Sequence, residues 1–458
     1  MASVRGDLPT RRILAVLFTG VLMGALDIAI VGPALPAIQA DFGLDSRALS
    51  WIFNIYILFH LIGAPLMAKV SDRIGRRHAY AASITAFAIG SVIVAGAPNF
   101  TTMLIGRAVQ AFGAGGIFPV AAAVIGDAFP PERRGRALGL IGAVFGIAFL
   151  LGPLLGGILL QFSWHWLFLI NVPIAVAVLW QALRVLPSVA QASPRRFDAG
   201  GAVCLSAMLA ALAFGVSTLD TSSLWAGLTA PTVWPFLLAA GVAAPVFWFI
   251  ERRAADPILH PSLLVSREIK LIAVIALATG LAEAGMVFLP SMAVSGLGVR
   301  EATASFKLLP LVATLIVGAP AAGRLVDAVG SRIVIQGGLV LCIVGLLLFG
   351  AVPVTLPSFF TAGCLTGLGL AVLLGAPLRY VVIREVPEAQ RGAGQGLLTL
   401  FLSVGQLTGA ALVGGVSASA SEATAGFQRA LLTIAVSMAV VLAVSVGLKA
   451  GRPSDVAG

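Results

Sequence analysis

Fourteen apolar stretches, each long enough for the roughly 20 residues of a membrane-spanning helix, follow one another along this chain. The chain is 59% hydrophobic and only 10% charged, whereas about 25% of residues are charged in soluble domains. Such stretches cross a bilayer as helices, because backbone polar groups must be satisfied internally in lipid. We therefore predict an all-α integral membrane protein with spans at 13–37, 48–69, 78–97, 101–125, 136–161, 165–186, 199–217, 231–250, 269–293, 304–323, 333–352, 357–380, 392–416 and 426–448.

The connection between the second and third stretches recurs later in the chain. Residues 63–77 read GAPLMAKVSDRIGRR, and residues 318–332 read GAPAAGRLVDAVGSR. An internal repeat of this kind predicts two related halves, a common plan of membrane transporters. We therefore predict an N-terminal six-helix bundle at 1–186 and a C-terminal six-helix bundle at 268–458. Residues 187–267 are predicted to hold a linker, two additional transmembrane helices and a cytoplasmic loop.

Positive charge is concentrated in every second loop. The N-terminal segment, these alternate loops and the C-terminal segment hold 24 of the 29 Lys and Arg residues. The positive-inside rule then places both termini in the cytoplasm, with the chain in the cell (inner, cytoplasmic) membrane. The net charge of +10 is thus interpreted as a topology signal, and no nucleic-acid partner is expected. The first stretch is too long for a signal-peptide core, so we expect it to remain in the protein.

Three ionisable side chains lie deep within apolar stretches: Asp27, Arg107 and Glu283. Because a charge in a membrane is expensive, such residues are functional candidates. A carboxyl group among apolar atoms binds a proton more readily than one in water, so Asp27 and Glu283 are predicted to carry protons or to pair with a cation. Arg107 has five donors with which to hold a carboxylate. The alternatives are an interhelical hydrogen bond for each carboxyl group and a structural clamp for Arg107.

Several polar residues within the apolar stretches are candidates for lining a substrate cavity. Tyr56 and His60 are four residues apart and share a helix face. A histidine can titrate near neutral pH, but a lone helix histidine is also commonly a satisfied polar contact. The full set of cavity candidates is Asn54, Tyr56, His60, Gln110 and Gln406.

Five motifs together resemble a known family. They are LDIAIVGPALPAI at 26–38, SDRIGRR at 71–77, IGRAVQAFGAG at 105–115, LGPLLGG at 151–157 and WHWLFLINVP at 164–173. In order and spacing they are similar to the fourteen-helix drug:proton antiporter branch of the major facilitator superfamily. The resemblance implies two pseudo-symmetric six-helix bundles with two additional central helices.

The resemblance also assigns roles to residues. Arg107 matches an arginine linked to proton coupling in the family. The LGPLLGG stretch looks like the helix motif of exporters, in which small residues and a proline allow close packing and a kink; it contributes Gly152, Pro153, Gly156 and Gly157. The repeated connection resembles a conformational latch, although some of its charges could serve topology alone. The latch residues are Asp72, Arg73, Gly75, Arg76, Asp127 and Asp327.

These features predict a proton-coupled secondary transporter that exports hydrophobic or amphiphilic molecules, cations included, by alternating access. The alternatives are export of a lipid or an endogenous metabolite on the same fold and, more remotely, a membrane enzyme or receptor. Because no Walker-type phosphate loop, metal-ligand cluster or nucleophile elbow is found in the sequence, an enzyme is not predicted. We expect no cofactor and no metal, with the proton gradient as energy source. The expected partners are substrate, protons and membrane lipid, and the chain is predicted to be a monomer.

Overall fold

The computed structural model describes residues 2–187, 198–254, 257–259, 261–387 and 390–449. Within these ranges all regular structure is helical. Besides a 3-10 helix at Pro261–Val265, the α-helices are α1 (Ala2–Phe42), α2 (Ser46–Ile74), α3 (Arg76–Ala95), α4 (Phe100–Ala128), α5 (Pro131–Leu159), α6 (His165–Leu169), α7 (Asn171–Val185), α8 (Ala199–Thr218), α9 (Leu224–Thr229), α10 (Trp234–Glu251), α11 (Arg267–Val287), α12 (Leu289–Leu297), α13 (Glu301–Phe306), α14 (Leu309–Val329), α15 (Ser331–Ala351), α16 (Leu356–Leu374), α17 (Ala376–Glu385), α18 (Arg391–Ala418) and α19 (Ala423–Ser445).

Helix length and composition confirm the predicted membrane fold. Thirteen helical stretches in the described ranges are long and apolar enough to cross a membrane. The remaining predicted span, 136–161, falls in α5, a helix of 29 residues. Several side chains of α5 lie outside the described part of the structure.

Some predicted spans are built from two consecutive helices rather than one. The helices α12, α14 and α17 each carry a proline, at Pro290, Pro310 and Pro377, in one of their first two positions. Proline lacks a backbone N–H and has a φ suited to the first turn of a helix. It therefore begins the second helix of the span and cannot continue the preceding one. By contrast, Pro65 and Pro119 lie inside the continuous helices α2 and α4.

The helices pack into two compact units. Unit 1 comprises Met1–Gly43 and Ile55–Phe197, and unit 2 comprises Leu44–Asn54 and Asp198–Gly458. Within unit 1, α3 packs against α4 and α7, and α1 packs against α5 and α7. Within unit 2, α11 packs against α18, while α8 packs against both α10 and α18. The two additional helices therefore pack within unit 2. The predicted boundaries at 186 and 268 remain predictions.

The repeated connection adopts the same backbone conformation in both places. Gly75, between α2 and α3, has φ 88° and ψ 152°. Gly330, between α14 and α15, has φ 89° and ψ 157°. Only glycine adopts this region without strain. The aligned glycines of the repeat are thus the residues on which each turn depends.

Candidate functional site

A buried ion pair lies at the centre of unit 1. Asp27 on α1 and Arg107 on α4 are both 0% exposed. Arg107 Nη1 donates to Asp27 Oδ2 over 2.7 Å. Hydrogen bonds between ionised partners are short and about twice as strong as neutral ones. The pair therefore joins α1 to α4 and neutralises two charges that the membrane interior would otherwise exclude.

Two amide side chains complete the coordination of Asp27. Gln110 Nε2 donates to Asp27 Oδ1 over 2.7 Å, and Asn171 Nδ2 donates to the same oxygen over 3.2 Å. Gln110 Oε1 accepts a hydrogen bond from Arg107 Nη1 over 2.7 Å. Both carboxylate oxygens are consequently occupied by donors from α4 and α7.

The network extends to α3 through Ser91. Gln110 Nε2 also lies 2.8 Å from Ser91 Oγ, and Ser91 Oγ donates to the carbonyl of Phe87 over 2.9 Å. Gly90 permits this contact, because a Cβ at that position would lie 2.6 Å from Gln110 Cβ. Real Cβ atoms essentially never come so close, so Gly90 sets the separation of α3 and α4.

Aromatic rings surround the Arg107 guanidinium. Arg107 Cζ lies 4.1 Å from the centroid of the Tyr56 ring and 5.7 Å from that of Phe168. The Tyr56 and His60 rings are stacked with centroids 6.0 Å apart. A ring face attracts a cation most strongly where water is excluded. The predicted cavity residues Tyr56, His60 and Gln110 are thus gathered around the ion pair.

The arrangement couples the charge of Asp27 to the position of Arg107. Because Oδ1 already accepts from two amides, a proton would bind Oδ2, and the loss of negative charge there would weaken the hydrogen bond from Arg107. A guanidinium that loses its carboxylate keeps its charge at any physiological pH. Protonation of Asp27 would therefore remove the carboxylate charge that Arg107 contacts, which favours a rearrangement of α1 and α4.

Glu283 lies in unit 2, in a different setting. It is on α11, and Gln406 on α18 is within hydrogen-bonding reach of its carboxyl group. Among the described residues it has no ion-pair partner, unlike Asp27. The two helices approach closely at Gly409, where a Cβ would lie 2.8 Å from Leu281 Cα. Gln406, predicted to line the substrate cavity, therefore lies beside Glu283.

Among the cavity candidates, Asn54 is the one whose amide oxygen and amide nitrogen both lack a hydrogen-bond partner in the described ranges, while Tyr56 Oη and His60 Nδ1 also lack one. Asn54 is fully buried. It belongs to the short part of α2 that packs with unit 2. An unpartnered buried amide costs about 1–3 kcal/mol. Its retention therefore favours a partner that is absent here, either a ligand or a group that Asn54 meets in another conformation of the protein.

The predicted latch residues meet at Arg76. Arg76 Nη1 lies 2.5 Å from Asp72 Oδ1, and Arg76 Nε lies 2.9 Å from Asp127 Oδ2. Arg76 thereby joins the end of α2, the start of α3 and the end of α4. Arg73 is exposed and takes no part in these two ion pairs. The side chain of Asp327 lies outside the described part of the structure.

The glycine-rich stretch of α5 packs against α1. Gly152, Pro153, Gly156 and Gly157 are all buried. A Cβ at Gly152 would lie 2.6 Å from Ala29 Cβ and 2.8 Å from the carbonyl oxygen of Ala29. Since Ala29 is two residues after Asp27, this close approach fixes the part of α1 that carries the buried carboxyl group.

Three residues of the site are not among the sequence predictions: Ser91, Phe168 and Asn171. Asn171 offers a signal, because it is an amide within the apolar stretch WLFLINVP. Ser91 offers none, since small hydroxyl residues are common in membrane helices and satisfy themselves on their own backbone.

Comparisons with known proteins agree with this architecture. The model of the family described as Major Facilitator Superfamily matches residues 17–313 and 271–456. The chain belongs to this superfamily. It is 35% identical over 421 residues to the uncharacterized MFS-type transporter YfiU of Bacillus subtilis, covering 90% of this chain and 80% of that protein.

Other relatives carry more specific names. Multidrug resistance protein 3 of B. subtilis is 31% identical over 69% of this chain, which spans only 61% of that relative's length. The triacylglyceride transporter of Mycolicibacterium hassiacum is 30% identical over 85% of this chain and 76% of that relative. The chain also spans only 59% of the MFS-type transporter Rv1877 of Mycobacterium tuberculosis, to which it is 32% identical over 89% of its own length.

Solved structures show the same fold. A bacterial homologue of the human lysosomal transporter Spinster, inward-facing and unoccupied, gives a TM-score of 0.68 at 15% identity, covering 95% of this chain and 96% of that one. The nucleoside transporter NupG gives 0.66 at 13% identity, covering 95% and 99%. The predicted major facilitator fold is confirmed, and the chain is a multi-pass membrane transporter. The relative named as a multidrug resistance protein agrees with the resemblance to the drug-exporting branch.

Proposed function

We propose that this transporter exports hydrophobic or amphiphilic small molecules, cations among them, in exchange for protons. The observation that carries the proposal is the Asp27 carboxyl group, fully buried and held by Arg107, Gln110 and Asn171. A carboxyl group kept in the membrane interior at considerable cost suits a proton carrier. The relative named multidrug resistance protein 3 supports the substrate class. The proposed location is the cytoplasmic membrane, with both termini in the cytoplasm.

Proton coupling would operate through the ion pair. A proton entering from outside neutralises Asp27 and removes the charge that holds Arg107. The guanidinium then bonds to Gln110 Oε1 alone among the partners described above, and the α1–α4 connection weakens. When the proton leaves toward the cytoplasm, the ion pair re-forms. Each cycle would thus link the protonation of one side chain to the packing of two helices.

The carboxyl groups of Asp27 and Glu283 would have different tasks. Asp27 is already neutralised by Arg107, so a cationic substrate would have to compete with a fixed guanidinium. Glu283 has Gln406 beside it and no cationic partner in the described part of the chain. We assign proton coupling to Asp27 and recognition of cationic substrates to Glu283. A cation near Glu283 would supply the neutralising charge that this site lacks.

The Arg76 cluster would act as a conformational latch. Its two carboxylates come from α2 and α4, so these helix ends cannot separate while both ion pairs hold. Asp72 and Asp127 are partly exposed, and ion pairs of that kind contribute about 1 kcal/mol or less each. Contacts this weak suit a device that must open in every transport cycle.

Transport by purified protein in proteoliposomes tests the proposal. An imposed proton gradient should drive wild-type protein to accumulate a fluorescent lipophilic cation against its concentration gradient. Asp27→Asn should abolish this uphill accumulation while downhill exchange continues, because an amide can accept hydrogen bonds but cannot exchange a proton. Full uphill accumulation by the variant would exclude Asp27 as the coupling site.

A matched control lies on the same helix. Asp41, also on α1, accepts a hydrogen bond from Trp164 Nε1 over 3.0 Å. Asp41→Asn retains an acceptor oxygen for that contact. It makes the same chemical change outside the buried site and should leave uphill accumulation at the wild-type level.

Lipid export is a second candidate, favoured by the relative named as a triacylglyceride transporter. The same proteoliposomes can be loaded with a fluorescent triacylglyceride in place of the cation. Proton-dependent movement of the lipid, with no movement of lipophilic cations, would select this candidate. Movement of the cations alone would select drug export.

A further inference from the structure

Two carboxyl groups meet where the additional helices α8 and α10 lie side by side. Asp198 precedes the first residue of α8, and its Oδ1 accepts the N–H of Gly201 over 2.8 Å. Glu251 is the last residue of α10, and its Oε2 accepts the N–H of Leu259 over 2.9 Å. Glu251 is only 1% exposed. One oxygen of each carboxyl group is therefore accounted for.

The other two oxygens, Asp198 Oδ2 and Glu251 Oε1, both lie beside Gly201 and have no hydrogen-bond partner in the described ranges. Both adjoin Gly201, where a Cβ would lie 2.6 Å from Glu251 Oε1 and still closer to Asp198 Oδ2. Because Gly201 has no side chain, the two oxygens share the space that a Cβ would fill.

No positive charge in the described surroundings neutralises this pair. α8 is the helix that packs against α10, and Asp198 is the charged group that it brings to Glu251. Arg252 and Arg253 follow Glu251 directly but are exposed. Arg253 instead stacks on Phe249, with its Cζ 3.9 Å from the ring centroid. Two adjacent carboxylates without a cationic partner in the described surroundings are unfavourable, because their like charges repel.

We propose that Asp198 and Glu251 form a proton-binding site in which a single proton is shared between Glu251 Oε1 and Asp198 Oδ2. The proton comes from water, and the charge of the pair changes from −2 to −1. One O–H group then satisfies both unpartnered oxygens at once. A divalent cation is a poorer fit, because Ca²⁺ takes six to eight oxygen ligands and no group of three or more His, Cys, Asp or Glu side chains is gathered among the described residues.

The proposed site lies in unit 2, whereas Asp27 lies in unit 1. The site makes the helix pair α8 and α10 sensitive to pH. As pH rises, the unfolded chain, whose carboxyl groups are ordinary ones, releases this proton first. The folded protein keeps the shared proton up to a higher pH. Stability from the pair is therefore present in acid and is lost as pH rises through the range in which the folded pair loses its proton. Above that range, repulsion should loosen the start of α8 and the segment at Leu259.

Thermal unfolding of the full-length protein in lipid nanodiscs, from mildly acidic to mildly alkaline pH, tests the site. Wild-type Tm should fall as pH rises. In Glu251→Gln, the amide can donate to Asp198 Oδ2 and still accept from Leu259 N–H, which imitates the protonated state. Its Tm should be higher than that of wild type at alkaline pH and should depend less on pH. Asp198→Asn should flatten the profile in the same way, because asparagine also caps helices well.

Glu268→Gln is the matched control. Glu268 is a buried glutamate at the start of α11, and both its oxygens face the N–H of Lys449 at 3.2 and 3.3 Å. This variant should keep the wild-type dependence of Tm on pH. An unchanged slope in both Glu251→Gln and Asp198→Asn would overturn the proposal. A second result would also overturn it. If CaCl₂ or MgCl₂ at alkaline pH raised the Tm of wild type but not that of Glu251→Gln, the two carboxyl groups would be a cation site. These readouts do not depend on transport, so they are separate from the test of the proposed function.

Discussion

At Asp27, the donors to the two carboxylate oxygens come from two helices of unit 1, α4 and α7, with Ser91 of α3 behind Gln110. A carboxylate saturated in this way holds those helices in one arrangement. Removing one member of a buried ion pair costs about 3–5 kcal/mol, because the other charge is left uncompensated. The same residues therefore stabilise unit 1 and make its packing sensitive to a single proton.

Arg107→Lys separates charge from geometry. Lysine keeps the positive charge but lacks the planar group that lies over Tyr56 while bonding both Asp27 and Gln110. We expect folded protein in reduced yield and proton-driven accumulation at least about tenfold below wild type, which corresponds to about 1.4 kcal/mol. Arg107→Ala should destabilise the protein by about 3–5 kcal/mol, measured by unfolding in detergent.

Arg429→Lys provides the comparison for Arg107→Lys. Arg429 is an exposed arginine on α19, so the same substitution there should change neither yield nor accumulation. Wild-type accumulation by Arg107→Lys would mean that charge alone is sufficient. The fixed geometry of the guanidinium would then be irrelevant to coupling.

The sequence identifies Asp27, Arg107 and Gln110 because each is polar where the chain is otherwise apolar. It does not reveal that they bond to one another, since Asp27 and Arg107 are 80 positions apart and their contact depends on helix packing. The sequence does not reveal the hydrogen bonds of Asn171 and Ser91 for the same reason. Their role comes from neighbours that only the fold supplies. Arg73 belongs to the same motif but is exposed and lies outside both ion pairs of Arg76, so its latch role stays a prediction.

At the scale of the elements, the repeat and the helix lengths are predictable while the helix breaks are not. A span is recognised by the number of apolar residues, which is set by membrane thickness. Pro290 begins a new helix, whereas Pro65 lies within a continuous one. The outcome at each proline depends on which neighbouring groups satisfy the backbone carbonyls that the proline leaves without a hydrogen bond. That information is not local to the sequence.

Substitution of the two turn glycines tests the repeat. Gly75→Ala and Gly330→Ala place a Cβ on a backbone with φ near 90°, a region that costs about 1–3 kcal/mol for other residues. Both variants should therefore lower the free energy of unfolding in detergent by about 1–3 kcal/mol. Similar losses at the two positions are expected, because the backbone conformations are nearly the same.

Each turn glycine has a helical control. Gly126 on α4 and Gly337 on α15 have negative φ, and a Cβ at either position would meet nothing within 4 Å. Gly126→Ala and Gly337→Ala should be neutral or stabilising, since alanine is favoured over glycine in helix interiors by about 0.5–1 kcal/mol. Equal stability of Gly75→Ala and Gly126→Ala would show that the turn tolerates a side chain.

At the scale of the whole molecule, orientation in the membrane rests on the distribution of Lys and Arg. The basic segments alternate with nearly uncharged loops, and the direction of insertion follows the basic segments. Helix packing within a unit is the same for either orientation, so the fold does not decide between them. Orientation nevertheless determines which end of α1 faces the outside, and therefore from which end a proton from outside approaches Asp27.

Cysteine labelling in intact cells measures the orientation. Replacing Cys204, Cys342 and Cys364 by alanine removes all the native thiols. Single cysteines can then be placed at Ser262, exposed in the 3-10 helix before α11, and at Ser421, exposed between α18 and α19. A membrane-impermeant maleimide should label Ser421→Cys from outside and should label Ser262→Cys only after the cells are permeabilised. The reverse pattern would place the basic loops outside and would contradict the orientation predicted from the Lys and Arg distribution.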